Sequence, residues 1–162
     1  MISSPRSIIF GVTASLLSTP AIHAATPATN ADWPAYLGGK DRSLYSPLRQ
    51  IDRSNVAQLK PAWTYDTGET GEYQANNLII GGVLYTATQS RKVVALDAAT
   101  GRELWKWNPA TSLAGTGGRR QRGLVFWQNE QGGEQRIFTA AGNFLFALDA
   151  KTGAALPGFG EK

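Results

Sequence analysis

The run Ala95-Leu96-Asp97-Ala98-Ala99-Thr100-Gly101-Arg102-Glu103-Leu104-Trp105 returns as Ala147-Leu148-Asp149-Ala150-Lys151-Thr152-Gly153-Ala154-Ala155-Leu156, 52 residues further on. The likeness extends upstream, because Tyr85-Thr86-Ala87-Thr88 is echoed by Phe138-Thr139-Ala140-Ala141 at a displacement of 53. One residue has therefore been lost between the two matched blocks. Self-similarity at this period constrains the fold more than any other feature of the chain.

Each copy places β-prone runs on either side of an Asp-x-x-Thr-Gly turn, as in Val93 to Leu96 and Leu104 to Trp107. Asp at the start of such a turn accepts backbone N–H groups two residues on, and Gly supplies the positive φ. The result is a hairpin. Trp105 then brings a large apolar plate with one N–H donor, suited to packing between neighbouring sheets. Asp97, Thr100, Gly101 and Trp105 are thus expected to be structural docking residues.

Several short strands per repeat point to an all-β propeller of four-stranded antiparallel blades. The first unit takes Leu78 to Ile80, a Gly81-Gly82 turn, Val83 to Thr86, Val93 to Leu96 and Glu103 to Trp107. The second takes Leu124 to Trp127, a Gly132-Gly133 turn, Arg136 to Ala140 and Phe144 to Leu148. Its fourth strand is expected to begin near Ala155 and to change course at Pro157, which cannot donate to a ladder. Upstream, Ala62-Trp63-Thr64-Tyr65 reads as a lone leading strand, and Ser54 to Leu59 as a helical turn capped by Asp52 or Ser54. Two blades and a leading strand are too few for a closed propeller, so the chain reads as the N-terminal part of a longer protein.

Residues 1–24 have the order of a secretory signal: Arg6, the apolar run Ile8 to Leu17, then Ala21-Ile22-His23-Ala24 as a cleavage site. The apolar run is shorter than the ~20 residues of a membrane span. Residues 25–31 read as a linker and 32–162 as the incomplete propeller. Export to the periplasm follows, with or without association with the membrane surface. There is no Cys, which removes disulfides, thiolate metal sites and covalent c-type haem. The single His is His23, so the chain after the signal has no His base and no Ser-His-Asp triad. A net charge of +4 is too mild to suggest nucleic acid as a partner.

In a blade the first strand lies nearest the propeller axis, so residues leading into it reach toward the central channel. Gln74-Ala75-Asn76-Asn77 leads into the first strand of one unit, and Arg122-Gly123 into that of the next. Arg offers a planar fork of donors for carboxylates, and Gln both a donor and an acceptor. Hydrogen bonds to a neighbouring loop would account for either residue equally well. Arg119 and Arg120, in the long Gly-rich loop before Arg122, read as a solvated stretch. Its Gly-x-Gly-Gly pattern opens onto a strand, which disfavours a phosphate site.

Ala95-x-Asp97-x-x-Thr100-Gly101-x-x-x-Trp105 resembles the tryptophan-docking motif of the pyrroloquinoline-quinone-dependent (quinoprotein) dehydrogenases. Asp32-Trp33-Pro34 through Leu48, Asn55-Val56 through Tyr65, and Arg122 through Trp127 are similar to the same family. Leu148 through Gly153 with Pro157-Gly158-Phe159-Gly160 resembles the variant second repeat of the glucose-dehydrogenase branch. The resemblance implies an eight-bladed propeller holding the quinone and a calcium ion, with an alcohol, sugar or polyol substrate and a respiratory electron acceptor. It implies that Arg122 and Gln74 contact the quinone, Gln74 standing where Glu is frequent. No vicinal Cys pair precedes Arg122, which departs from the methanol-oxidising branch. The calcium ligands and the catalytic acid of the family are expected beyond residue 162. Two other readings stay open: a non-catalytic propeller that scaffolds outer-membrane protein assembly, and a carbohydrate-binding β-domain.

Overall fold

The computed structural model describes residues 32–111 and 121–160. The expected signal (1–24) and linker (25–31), and Arg119 and Arg120, lie outside the described residues. Among the described residues seven strands form two antiparallel sheets. In the first, β1 (Leu78–Ile80), β2 (Val83–Ala87), β3 (Val93–Asp97) and β4 (Glu103–Trp107) lie in chain order. In the second, β5 (Val125–Gln128), β6 (Gln135–Ala141) and β7 (Phe144–Asp149) do the same. These are successive blades of a propeller.

The pairing locates the lost residue. Tyr85 faces Ala95 in one blade and Phe138 faces Ala147 in the other, so the shortening falls in the intervening hairpin loop. In the first blade that loop is Thr88 to Lys92, closed by the Ala87–Val93 pair, and Arg91 in it has φ +67°. In the second, the ladder runs one pair further to Ala141–Phe144, and Gly142 takes the positive φ of a two-residue turn.

Period-two alternation gives each strand one face toward the neighbouring blade. Leu78, Ile80, Tyr85, Val93, Ala95 and Trp107 of the first blade meet Leu124, Ile137, Leu148 and Ala150 of the second in one buried core. Trp107 and Phe146 close it with rings 4.8 Å apart and tilted by 57°, a geometry aromatic pairs favour.

Two elements differ from the sequence-based expectation, and the fourth strand of the second blade breaks off where it was expected to. Ala62 to Tyr65 forms no strand among the described residues. It has no backbone ladder there and is held by side chains, with the Tyr65 hydroxyl donating to Glu103 and Lys106 lying over the Tyr65 ring. The turn after Asp52 is a single 3₁₀ turn, Val56–Gln58, whose cap Asn55 makes no side-chain capping bond. The Asp52 carboxylate bonds Ser54 instead, at 2.7 Å to its N–H and 2.6 Å to its hydroxyl. In the second blade the fourth strand is reduced to a single bridge, Leu148 to Ala155, with the Leu156 N–H on the Ala147 carbonyl at 2.8 Å. The chain turns at Pro157, which has no N–H to extend the ladder.

The segment before the first blade also adds to it. Trp33 pairs with Ile79 of β1 through N–H···O bonds of 2.7 and 3.1 Å, and Asp32 accepts the Gly81 N–H at 2.9 Å. Residues 62–73 cover the opposite face of the blade, leaving a cleft of about 670 Å³ among Trp63, Tyr65, Tyr73, Thr86 and Leu96.

Candidate functional site

The two Asp-x-x-Thr-Gly turns are near copies in three dimensions. Asp97 Oδ1 accepts the Ala99 N–H, the Thr100 N–H and the Thr100 hydroxyl at 3.1, 2.9 and 2.8 Å. Asp149 Oδ1 accepts the matching Lys151 and Thr152 groups at 3.0, 2.8 and 2.9 Å. The Thr100 hydroxyl, foremost, lowers the carboxyl of Asp97 below its ordinary range. At Asp149 partial burial pushes upward, and the Thr152 bonds outweigh it to the same net effect.

Each turn receives a tryptophan from the preceding segment. Trp63 donates its indole N–H to the Ala98 carbonyl at 3.1 Å, and Trp105 donates to the Ala150 carbonyl at 3.0 Å. The ring faces lie on the glycines, for a Cβ added to Gly101 would meet Trp63 at 2.5 Å and one on Gly153 would meet Trp105 at 2.5 Å. Both glycines also have positive φ, +74° and +72°, so two separate constraints exclude a side chain. The Ala150 carbonyl accepts a second bond, at 3.1 Å, from the buried hydroxyl of Tyr85, which burial pushes up to about 12.

This docking sets the relative position of the blades, and with it that of their innermost lead-ins. Asn76 and Gly123 form a parallel bridge. The Arg122 carbonyl accepts both the Asn76 N–H at 3.1 Å and the Asn76 side-chain amide at 2.6 Å. The backbones before β1 and β5 are therefore joined, with Gln74 two residues from the junction and Arg122 within it. Both Gln74 and Arg122 are exposed. Gln74 makes a long 3.5 Å bond to Glu72. The Arg122 guanidinium makes no hydrogen bond or ion pair among the described residues.

Neighbouring groups hold this junction from both sides. Tyr73, Asn77 and Thr86 close a ring of hydrogen bonds, with Tyr73 to Asn77 at 2.6 Å, Tyr73 to Thr86 at 2.6 Å and Thr86 to Asn77 at 2.7 Å. Gln121 donates to the hydroxyl of buried Thr139. Nothing in the spacing of the chain singles out Tyr73 or Gln121, whose bonds to Thr86 and Thr139 join residues 13 and 18 positions apart. Asn76 is legible only as one of a run of polar residues between apolar ones. A hollow of about 230 Å³, with Trp33, Tyr36, Leu44 and Asn76 among its walls, adjoins the junction.

The exposed donors are the Arg122 guanidinium and the Gln74 carboxamide on adjoining backbones, and they suit a ligand bearing carboxylates. Pyrroloquinoline quinone, a tricarboxylate, fits that description. Among the described residues no group of three or more His, Cys, Asp and Glu is placed to hold a metal ion, and no helix is long and apolar enough to cross a membrane.

Blades docked by tryptophan on glycine, with polar lead-ins joined through Asn76 and Arg122, define a segment of a β-propeller. Residues 33–162 match the family model for the PQQ glucose/ethanol/alcohol dehydrogenase β-propeller domain. The chain belongs to this family. It is 40% identical over 126 residues to the dehydrogenase subunit of an alcohol dehydrogenase (quinone) from Gluconobacter oxydans, covering 75% of this chain and 16% of that protein. It is 38% identical over 100 residues to the quinoprotein glucose dehydrogenase of Escherichia coli, covering 57% of this chain and 12% of that one. The solved quinohemoprotein alcohol dehydrogenase of Comamonas testosteroni superposes with a TM-score of 0.64 at 29% identity, over 78% of this chain and 19% of that structure. The chain thus spans less than a quarter of the length of these relatives.

Proposed function

We propose that this chain is the N-terminal part of an exported dehydrogenase that oxidises an alcohol or aldose CH–OH group using pyrroloquinoline quinone, with Arg122 and Gln74 helping to hold the quinone. The carrying observation is the junction of Asn76 with Arg122, which sets two donor-rich lead-ins side by side at the inner edge of the blades. Relatives named for alcohol and for glucose match with nearly equal identity, 40% and 38%, so the substrate class is kept at the level of the CH–OH donor. Residues 1–24 act as the export signal, placing the protein in the periplasm, and electrons pass on to a respiratory acceptor.

When bound, the quinone would supply a two-electron acceptor for the substrate C–H group and calcium a Lewis acid. The residues of this chain bind and orient. Arg122 offers parallel N–H donors to one carboxylate. Gln74 adds a neutral donor and acceptor, so it does not repel an anionic ligand as a Glu there would. Trp105 docks the first blade on the second and so helps fix the separation of these groups, while Trp63 holds the preceding segment on the first blade. The calcium ligands and the base that takes the hydroxyl proton would come from other parts of the protein.

The test is reconstitution. The complete apo protein is mixed with quinone and calcium and offered ethanol, a polyol or glucose, with dye reduction as the readout. Reduction that requires both additions supports the reading; none with any of these donors would sink it.

A further inference from the structure

The carbonyl of Arg122 is pinned by a single residue. Asn76 directs two donors, its backbone N–H and its Nδ2, onto the one carbonyl of Arg122 at 3.1 and 2.6 Å. On the other flank, Gln121 is half-buried and reaches Thr139 in the body of the second blade, with a 3.4 Å bond from its amide to the Gly123 carbonyl. Arg122 therefore stands between one amide tied to its own blade and another tied to the preceding blade. Its guanidinium is left exposed, without a partner among the described residues.

We propose that Asn76 is a positioning residue for Arg122, fixing its main chain so that the guanidinium is presented to a carboxylate of the bound quinone. The proposal rests on the reading of Arg122 as a quinone-holding residue. A long, flexible side chain loses rotational freedom on binding, and each further loose torsion in its backbone adds to that cost. Fixing the carbonyl of Arg122 removes the backbone part before the ligand arrives. Asn suits the task because its side-chain amide adds a second bond to the carbonyl that its own backbone N–H already holds. Gly123 lies directly opposite, where a Cβ would sit 3.6 Å from the Asn76 amide, so the two lead-ins meet without bulk between them.

The test is a double-mutant cycle in the complete apo protein, with quinone affinity read by quenching of tryptophan fluorescence at fixed calcium. Asn76→Ala should weaken binding about five-fold, as expected for one lost hydrogen bond acting through Arg122. It should weaken binding no further when Arg122 is already Ala, because the two act as a unit. Asn76→Ser, which keeps a donor, should recover part of the affinity, and it enters the cycle alone if the Ala variant does not fold. Amide hydrogen exchange across residues 121–124, measured without quinone, should accelerate in Asn76→Ala. Unchanged affinity in Asn76→Ala, or equal weakening in both Arg122 backgrounds, overturns the positioning role while leaving the quinone reading intact. An Arg122→Ala protein that binds quinone like wild type overturns the quinone reading, and this proposal with it.

Discussion

The indole of Trp105 lies flat on Gly153, a contact so close that a Cβ on the glycine would stand 2.5 Å from the ring. Its N–H reaches the Ala150 carbonyl at 3.0 Å, so one residue supplies both apolar contact and a directed bond between blades. Trp105→Ala should destabilise the complete protein by about 3 kcal/mol, the cost of a large-to-small change at a packed site. Trp105→Phe should recover part of this, since it retains a ring but not the donor. Denaturant unfolding measures both, and a loss under ~1 kcal/mol for the Ala variant would contradict the docking role.

Gly153→Ala attacks the same contact from the other side. The residue has φ +72°, costing about 1–2 kcal/mol for an L side chain, and the new methyl must displace the indole, adding about 1–3 kcal/mol. Gly132→Ala serves as the comparison, for its φ is +70° but nothing lies within 4 Å of the added carbon. Calorimetry should show a larger fall in Tm at position 153 than at 132. Equal falls would mean that backbone strain alone accounts for Gly153.

Glu69 links the segment before the first blade to the turn between β2 and β3. Its carboxylate accepts the Ser90 N–H and hydroxyl at 2.7 Å each and pairs with Lys92 at 2.8 Å. Partial burial opposes its charge, but these bonds prevail and hold it down to about 2. A carboxyl lowered by folding stabilises fully above its unfolded value and loses that contribution as pH falls through the folded one, here from 4.5 toward about 2. Glu69→Gln should therefore cost about 2 kcal/mol at neutral pH and much less near pH ~2.5. Urea titrations of both proteins at the two pH values decide this, and a pH-independent gap would refute it.

Arg122→Ala and Arg122→Lys separate charge from geometry. Lys keeps the charge without the planar fork, so quinone affinity should fall in the order wild type, Lys, Ala. The Ala variant should lose on the order of 2 kcal/mol, about thirty-fold in affinity. The apo Tm should hardly move, because the exposed guanidinium makes no hydrogen bond or ion pair among the described residues. Quinone titration of the apo variants provides the measurement, and wild-type affinity in Arg122→Ala would remove the residue from the site.

The repeat of Asp97-x-x-Thr100-Gly101 at Asp149-x-x-Thr152-Gly153 was enough to determine the hairpins, the blade unit and the all-β class. Those depend on local chemistry: a carboxylate with N–H groups two and three residues away, a positive φ, and side chains alternating along a strand. Where the matched blocks lose one residue could be read in the chain; that the loss tightens the hairpin at Ala141–Phe144 needed the register. Long-range partners were decided by tertiary structure alone. Ala62 to Tyr65 has the composition of a strand, yet strand formation requires a neighbouring backbone ladder, and among the described residues none forms on it. Trp105 was legible as an inter-sheet plate, but its seat on Gly153 depends on how two sheets approach. Arg122 and Gln74 lie 48 residues apart. What joins their backbones is the Asn76 amide on the Arg122 carbonyl, a bond formed only when packed blades bring two lead-ins together.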